Sequence, residues 1–154
     1  MAETGKSLLY GAVAGMAGGL AMSVIRQALQ EAGLMGAPLP LKIERRLERR
    51  AGVDDLTGSG EEKVLAMGEH LAISAAFGAA YPLLGRALTA PAWVAGLVYG
   101  AFVYGVLILG IGPALDLARP RWRDEPGAAA RRLGVHLIFG LVTAVVFQRL
   151  DRSA

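Results

Sequence analysis

Charged side chains cluster in a few places along this chain, and the gaps between the clusters are long. Nineteen uncharged residues separate Lys6 from Arg26, sixteen separate Glu69 from Arg86, twenty-nine separate Arg86 from Asp116 and sixteen separate Arg132 from Arg149. A helix rises about 1.5 Å per residue, so about 20 residues cross the roughly 30 Å hydrocarbon core of a bilayer. The runs from Ser7 and from Ala87 reach that length unaided. Those from His70 and Leu133 reach it if their helices begin near Val64 and Ala128, with Glu69, Arg131 and Arg132 snorkelling toward one interface. The pattern predicts an all-α fold, a polytopic membrane four-helix bundle forming a single transmembrane domain. Its helices fall at about 7–29, 62–85, 91–113 and 127–149, with long loops at about 30–61 and 114–126. A soluble bundle would show a polar stripe every 3.6 residues, and the stretches from Leu8 to Ile25 and from Trp93 to Leu109 show none.

Local signals agree with these boundaries. Ser59-Gly-Glu-Glu62 matches a capping box and starts the second helix. Pro91 and Pro126 stand where the first turns of the third and fourth helices belong. Four spans place both termini on one side. The terminal side carries 4 Lys and Arg residues and the loop side 12. By the positive-inside rule this imbalance puts the loops in the cytoplasm and both termini outside. Tyr10 and Trp93 then anchor near the outer interface and Trp122 near the inner one.

The first loop contains Leu-Lys-Ile-Glu-Arg-Arg-Leu-Glu-Arg-Arg-Ala. Ile43, Leu47 and Ala51 recur at helical spacing among five basic residues, so residues 41–51 read as a short basic amphipathic helix on anionic lipid. The segment has no base-reading surface, and nucleic acid is not an expected partner despite the net charge of +3. The acidic group Asp54, Asp55, Glu61 and Glu62 balances that basic run more readily than it holds a cation.

Two stretches resemble each other. Gly68-Glu-His-Leu and Gly134-Val-His-Leu each precede an aromatic residue eleven positions after the His (Tyr81, Phe147), a Leu at fourteen (Leu84, Leu150) and an Arg at sixteen (Arg86, Arg152). Gly11 to Gly15 likewise parallels Gly96 to Gly100. The chain reads as two helical-hairpin repeats in parallel orientation, related by an axis along the membrane normal. Gly11, Gly15 and Gly19, and again Gly96 and Gly100, lie at four-residue spacing, which lets helices approach closely in lipid. They predict that the first and third helices cross at the centre, or that one glycine face mediates a homo-oligomer.

Chemistry is sparse. There is no Cys, which removes disulfides, thiol catalysis and Cys-ligated metals. No catalytic motif is present, and neither an enzyme activity nor a metal site is expected. The informative polar residues are His70 and His136, which the repeat makes symmetry mates about a third of the way in from the loop side. Glu69 precedes His70, Ser74 lies one turn after it, and Tyr81 closes the same helix. Intramembrane ionisable groups are costly and face the bundle interior or water. The pair can brace helices, relay protons or line a cytoplasmic-side vestibule of a small transporter or channel. Two His at one depth among small residues also describe a bis-His haem b site, although no cofactor is demanded.

His70-Leu-Ala-Ile-Ser-Ala-Ala-Phe-Gly-Ala-Ala-Tyr81, the short loop with Pro91 and Trp93, Gly96-Leu-Val-Tyr-Gly-Ala-Phe-Val-Tyr-Gly105 and Gly134-Val-His136 together resemble the YagU-like small inner-membrane proteins. The resemblance covers roughly residues 64–148. It implies a polytopic protein of the bacterial inner membrane with unassigned activity, and supplies no catalytic residue. The loop after the third helix departs from the pattern. The function expected on this basis is structural or stress-related, with the transporter or channel reading as its rival.

Overall fold

A computed structural model of the chain describes residues 2–35, 59–85, 87–114 and 126–152. Four helices make up the described chain: α1 (Ala2–Glu31), α2 (Ser59–Gly85), α3 (Ala92–Ala114) and α4 (Pro126–Arg152). All four are long and apolar enough to cross a bilayer. The expected spans are therefore present; α1, α2 and α4 run a few residues beyond the expected bounds, and α3 matches them within one residue. The basic segment 41–51, Trp122 and the acidic residues Asp54 and Asp55 lie outside the described residues, as do the side chains of Glu61 and Glu62.

Helix ends follow local chemistry. α1 stops at Gly33, whose φ of 71° few other residues adopt cheaply. Leu34 N–H donates to Leu29 O at 2.8 Å and Gly33 N–H to Gln30 O at 2.9 Å, which closes a Schellman cap. Pro91 precedes α3, where its carbonyl accepts from Ala95 N–H at 3.0 Å, and Pro126 opens α4. Within α3 the α-helix Ala92–Tyr104 gives way to a π stretch, Gly105–Ile111, before a last turn at Gly112–Ala114. Pro113 explains the change. It has no N–H for the Leu109 carbonyl and its ring crowds that group, so the preceding turn widens. Gly112 N–H accordingly reaches back five residues to Leu107 O.

The outward faces are apolar and the inward faces are small. On α1, Leu9, Val13, Met16, Leu20 and Val24 are exposed, while Gly11, Ala14, Gly15, Gly18, Gly19 and Met22 are buried. α2 exposes Ile73 and Leu83, and α3 exposes Trp93, Val98 and Phe102. Water would select the opposite arrangement. With hydrocarbon as the outer solvent the hydrophobic drive between helices disappears, and close backbone packing takes its place. The chain is a multi-pass membrane protein, a bundle of four membrane-length helices in contact with lipid. Trp93 is 58% exposed in the first turn of α3, as an interfacial anchor should be, and Lys6 Nζ lies 5.6 Å from the Tyr10 ring centroid.

The helix pairs differ from the expectation. α1 packs along both α2 and α4, and α3 packs along α4, whereas α2 touches α3 and α4 only lightly. The glycines therefore do not bring α1 and α3 together at the centre. Gly11 and Gly15 lie against Gly78 of α2, and Gly96 and Gly100 lie against Gly140 of α4. Each glycine face closes its own hairpin, so both are already occupied within one chain. A third contact joins the hairpins, where Gly18 meets Phe139 and Thr143 of α4. Thr143 is fully buried and its hydroxyl donates to Phe139 O at 2.7 Å, so no polar atom is stranded there. Four-residue glycine spacing announces a close approach but carries no information about which helix approaches.

The terminal-side half of the bundle is held by aromatic rings. Tyr81 meets Tyr99 and Phe147 edge-on, with centroids 5.1 and 5.5 Å away. The Tyr99 hydroxyl donates to Phe77 O of α2 and ties α3 to α2 across their thin contact. Pro82 lies inside α2 and has no N–H to offer the Gly78 carbonyl four residues before it.

Candidate functional site

In the loop-side half, where α2 and α3 diverge, the bundle leaves a cavity of about 110 Å³. Every helix contributes to it. α1 supplies Met22 and Arg26, near its loop-side end. α2 supplies His70, Ile73, Ser74 and Phe77, one face at helical spacing. α3 supplies Val103 and, from the π stretch, Leu107 and Ile108, while α4 supplies His136 and Phe139. Ile73 is 41% exposed, so the cavity lies just behind the lipid-facing surface of the α2–α3 seam. The wide turns above Pro113 set which α3 side chains face this space, and π turns are frequent at functional sites.

Both histidines are oriented by backbone carbonyls. His70 Nε2 lies 3.2 Å from Gly19 O on α1, and His136 Nδ1 lies 2.7 Å from Arg132 O on its own helix. A carbonyl can only accept, so these nitrogens donate, and the other nitrogen of each neutral ring carries a lone pair. The His136 ring also meets Tyr104 of α3 edge-on at 5.3 Å. Gly19 matters to α2 for a steric reason. A Cβ at that position would fall on the Ser74 side chain and within 3.7 Å of His70 Nε2. Its absence lets His70 and Ser74 sit against α1.

The structure places His70, Ser74 and His136 in the lining of one cavity. Glu69 and Tyr81 are placed elsewhere. Glu69 is exposed on α2 and Tyr81 is buried in the aromatic cluster of the other half. Gly11, Gly15, Gly96 and Gly100 serve helix packing, and Gly19 serves both packing and the site. Arg26 is the residue that sequence reasoning missed. It was visible as the charge closing the first apolar run, and read that way it marked a helix end rather than a wall of a cavity. Among the described residues no Asp or Glu lines the cavity, and no cluster of His, Asp and Glu able to hold a metal is present.

The space is small for a porphyrin. Pockets for drug-sized ligands span about 300–1,000 Å³, and haem ligation through His70 Nε2 would require that nitrogen to release Gly19 O. The arrangement is better matched to a small molecule or to protons: two imidazoles, a guanidinium and a hydroxyl set in an otherwise apolar wall. Comparison of the chain with protein-family models, with curated proteins and with solved structures returns no match.

Proposed function

We propose that this chain is a non-enzymatic inner-membrane protein acting as a small transporter or channel, with the His70–His136 cavity as its loop-side vestibule. The observation that carries the reading is convergence. Two histidines sixty-six positions apart, on helices that barely touch, line one cavity together with Arg26. Intramembrane ionisable residues are costly, and grouping them around a cavity is how transport pathways use them. Purified protein in liposomes containing a pH-sensitive dye, with ion gradients imposed across the membrane, should conduct above empty vesicles. His70→Ala and His136→Ala, recovered folded, should each fall toward the empty-vesicle rate. Equal flux in wild type and both variants would remove the vestibule, and wild-type vesicles as tight as empty ones to protons, cations and anions would remove transport.

The resemblance to YagU-like proteins supports the bacterial inner membrane as the location, and the distribution of 12 against 4 basic residues supports loops in the cytoplasm and termini outside. Because the chain lacks Cys, single introduced cysteines report orientation directly. In intact cells a membrane-impermeant maleimide should label Leu88→Cys and spare Glu31→Cys, and the reverse pattern would invert the topology. The paired Gly-x-His openings and the matched hairpin packing, Gly15 on Gly78 and Gly96 on Gly140, support descent from two parallel repeats. A two-fold axis would also require α2 to pack on α3 as α1 packs on α4. The halves have diverged there, and the cavity occupies the difference.

A structural or stress-related role is the second reading. The two carbonyl bonds favour it, since each His also braces backbone, and intramembrane hydrogen bonds of this kind contribute about 0.6–1.7 kcal/mol.

A further inference from the structure

The cavity of the vestibule reading also has a side toward lipid, and that side can take a ligand whether or not ions pass. Its wall grades from core to surface. Met22, Val103 and Phe139 are buried, Phe77, Leu107 and Ile108 are half-buried, and Ile73, 41% exposed, stands at the lip between α2 and α3. Those two helices touch only lightly. The Tyr99 hydroxyl ties them at Phe77 O, toward the terminal side of the cavity. On the loop side of that bond the π stretch of α3 sets Leu107 and Ile108 on the seam. A molecule dissolved in hydrocarbon therefore meets an apolar approach, and an exposed side chain such as Ile73 changes rotamer within nanoseconds.

The lining fits neither water alone nor a bare hydrocarbon. A buried water makes about three hydrogen bonds, and the aliphatic and aromatic wall offers it none. A hydrocarbon would cover the polar edge and forfeit its hydrogen bonds. At that edge His70 and His136 each donate one ring N–H to a carbonyl, Gly19 O and Arg132 O, so the other nitrogen of a neutral ring can accept. Ser74, 5% exposed, adds a hydroxyl.

An alcohol hydroxyl both donates and accepts, so it can give its proton to an imidazole nitrogen and take one from Ser74. Being neutral, it makes these bonds whatever charges stand at the loop-side rim. Size sets the remaining limit. An apolar cavity of about 150 Å³ accepts benzene, so one of about 110 Å³ accepts a ligand of about four or five non-hydrogen atoms. We infer that the cavity binds a small neutral alcohol dissolved in the bilayer. The alcohol enters sideways between α2 and α3, its hydroxyl among His70, His136 and Ser74 and its alkyl chain against Phe77, Val103 and Phe139.

The test uses the purified full-length chain in lipid nanodiscs at about pH 8, above the ordinary imidazole value of about 6.5. A butanol carrying a diazirine is photolysed with the protein, and its adducts are located by mass spectrometry. A probe merely dissolved in lipid would mark outward residues such as Leu9 and Leu20 as readily as the seam. Adducts should instead concentrate on Ile73, Phe77, Leu107 and Ile108, and 1-butanol should suppress them. Diethyl ether, an isomer with no O–H, should compete about two- to tenfold less well at equal concentration in the bilayer, the worth of one neutral hydrogen bond. Leu107→Trp, which fills the cavity, should lose the seam adducts. If that variant does not fold, Val103→Ala, which enlarges the cavity, should shift the best competitor from 1-butanol to a longer alcohol. Adducts spread evenly over the outward residues, or seam adducts that 1-butanol leaves untouched, would overturn the inference. So would undiminished adducts in folded Leu107→Trp, an unchanged preference in Val103→Ala, or equal competition by the ether. Suppressible seam adducts on a protein that passes no ions would uphold this site and sink the transport reading. Ion flux with evenly spread adducts would do the opposite.

Discussion

Gly15→Leu should give a chain that still inserts into the membrane and no longer closes its first hairpin. A Cβ at Gly15 falls inside contact distance of Ser74 O and of the Gly78 backbone, and a Cβ at Gly78 meets the Gly15 backbone in return. Backbone cannot rotate aside as a side chain can, so α1 and α2 must separate along their whole contact. Overpacking costs about 1–3 kcal/mol for modest insertions, which sets the expected loss for Gly15→Ala, and Leu should exceed it. Separation also withdraws Gly19 from His70 and Ser74, so the cavity should be lost with the hairpin. Gly68→Leu is the control, because nothing lies within 4 Å of a Cβ there. Reversible unfolding in mixed micelles measures the difference. Gly15→Ala combined with Gly78→Ala should cost less than the sum of the two, since either one already forces the same separation. Equal stability of Gly15→Leu and Gly68→Leu would mean that the α1–α2 contact is not made.

How far the sequence carries this fold depends on which force decides each feature. The four spans were readable because hydrocarbon excludes charge, and the exclusion is written as gaps in the chain. Helix ends were readable where a residue enforces them, as Pro91 and Pro126 do. Gly33 was an available signal for the end of α1, placed two residues early, since a glycine after an apolar run marks a Schellman cap. The π stretch of α3 had its signal in Pro113, with Gly105, Gly110 and Gly112 around it, but a proline near a helix end reads first as a stop. The helix pairing was not readable. Gly11, Gly15, Gly96 and Gly100 are equally good faces for any small-residue partner, and the choice of Gly78 and Gly140 is a property of the assembled bundle. The cavity divides the same way. Its histidines stood out because ionisable groups are rare at that depth, whereas Arg26 and the apolar wall acquire meaning only once α2 and α3 are seen to diverge.

Leu20→Arg separates lipid from water as the solvent around the bundle. Leu20 is 49% exposed on the outward face of α1, well inside the span Thr4–Glu31. On a soluble bundle, an arginine at an exposed apolar position changes stability by less than about 0.5 kcal/mol and improves solubility. In a bilayer the same side chain faces hydrocarbon, where arginine near a helix centre costs about 2.5–3.5 kcal/mol for insertion. That is a large part of the 5–15 kcal/mol, or about that range, which holds a typical domain together. The expected result is a sharp fall in membrane-integrated protein for Leu20→Arg and little change for Gln27→Arg, exposed near the loop-side end of the same helix where a long cation reaches the headgroups. Met16→Arg, on the same outward stripe, should behave as Leu20→Arg does. Carbonate-resistant membrane content measures all three. Full integration of Leu20→Arg, or its recovery as a monodisperse species without detergent, would show that α1 does not face lipid, and the inside-out distribution of small and large side chains would then need a protein partner to cover it.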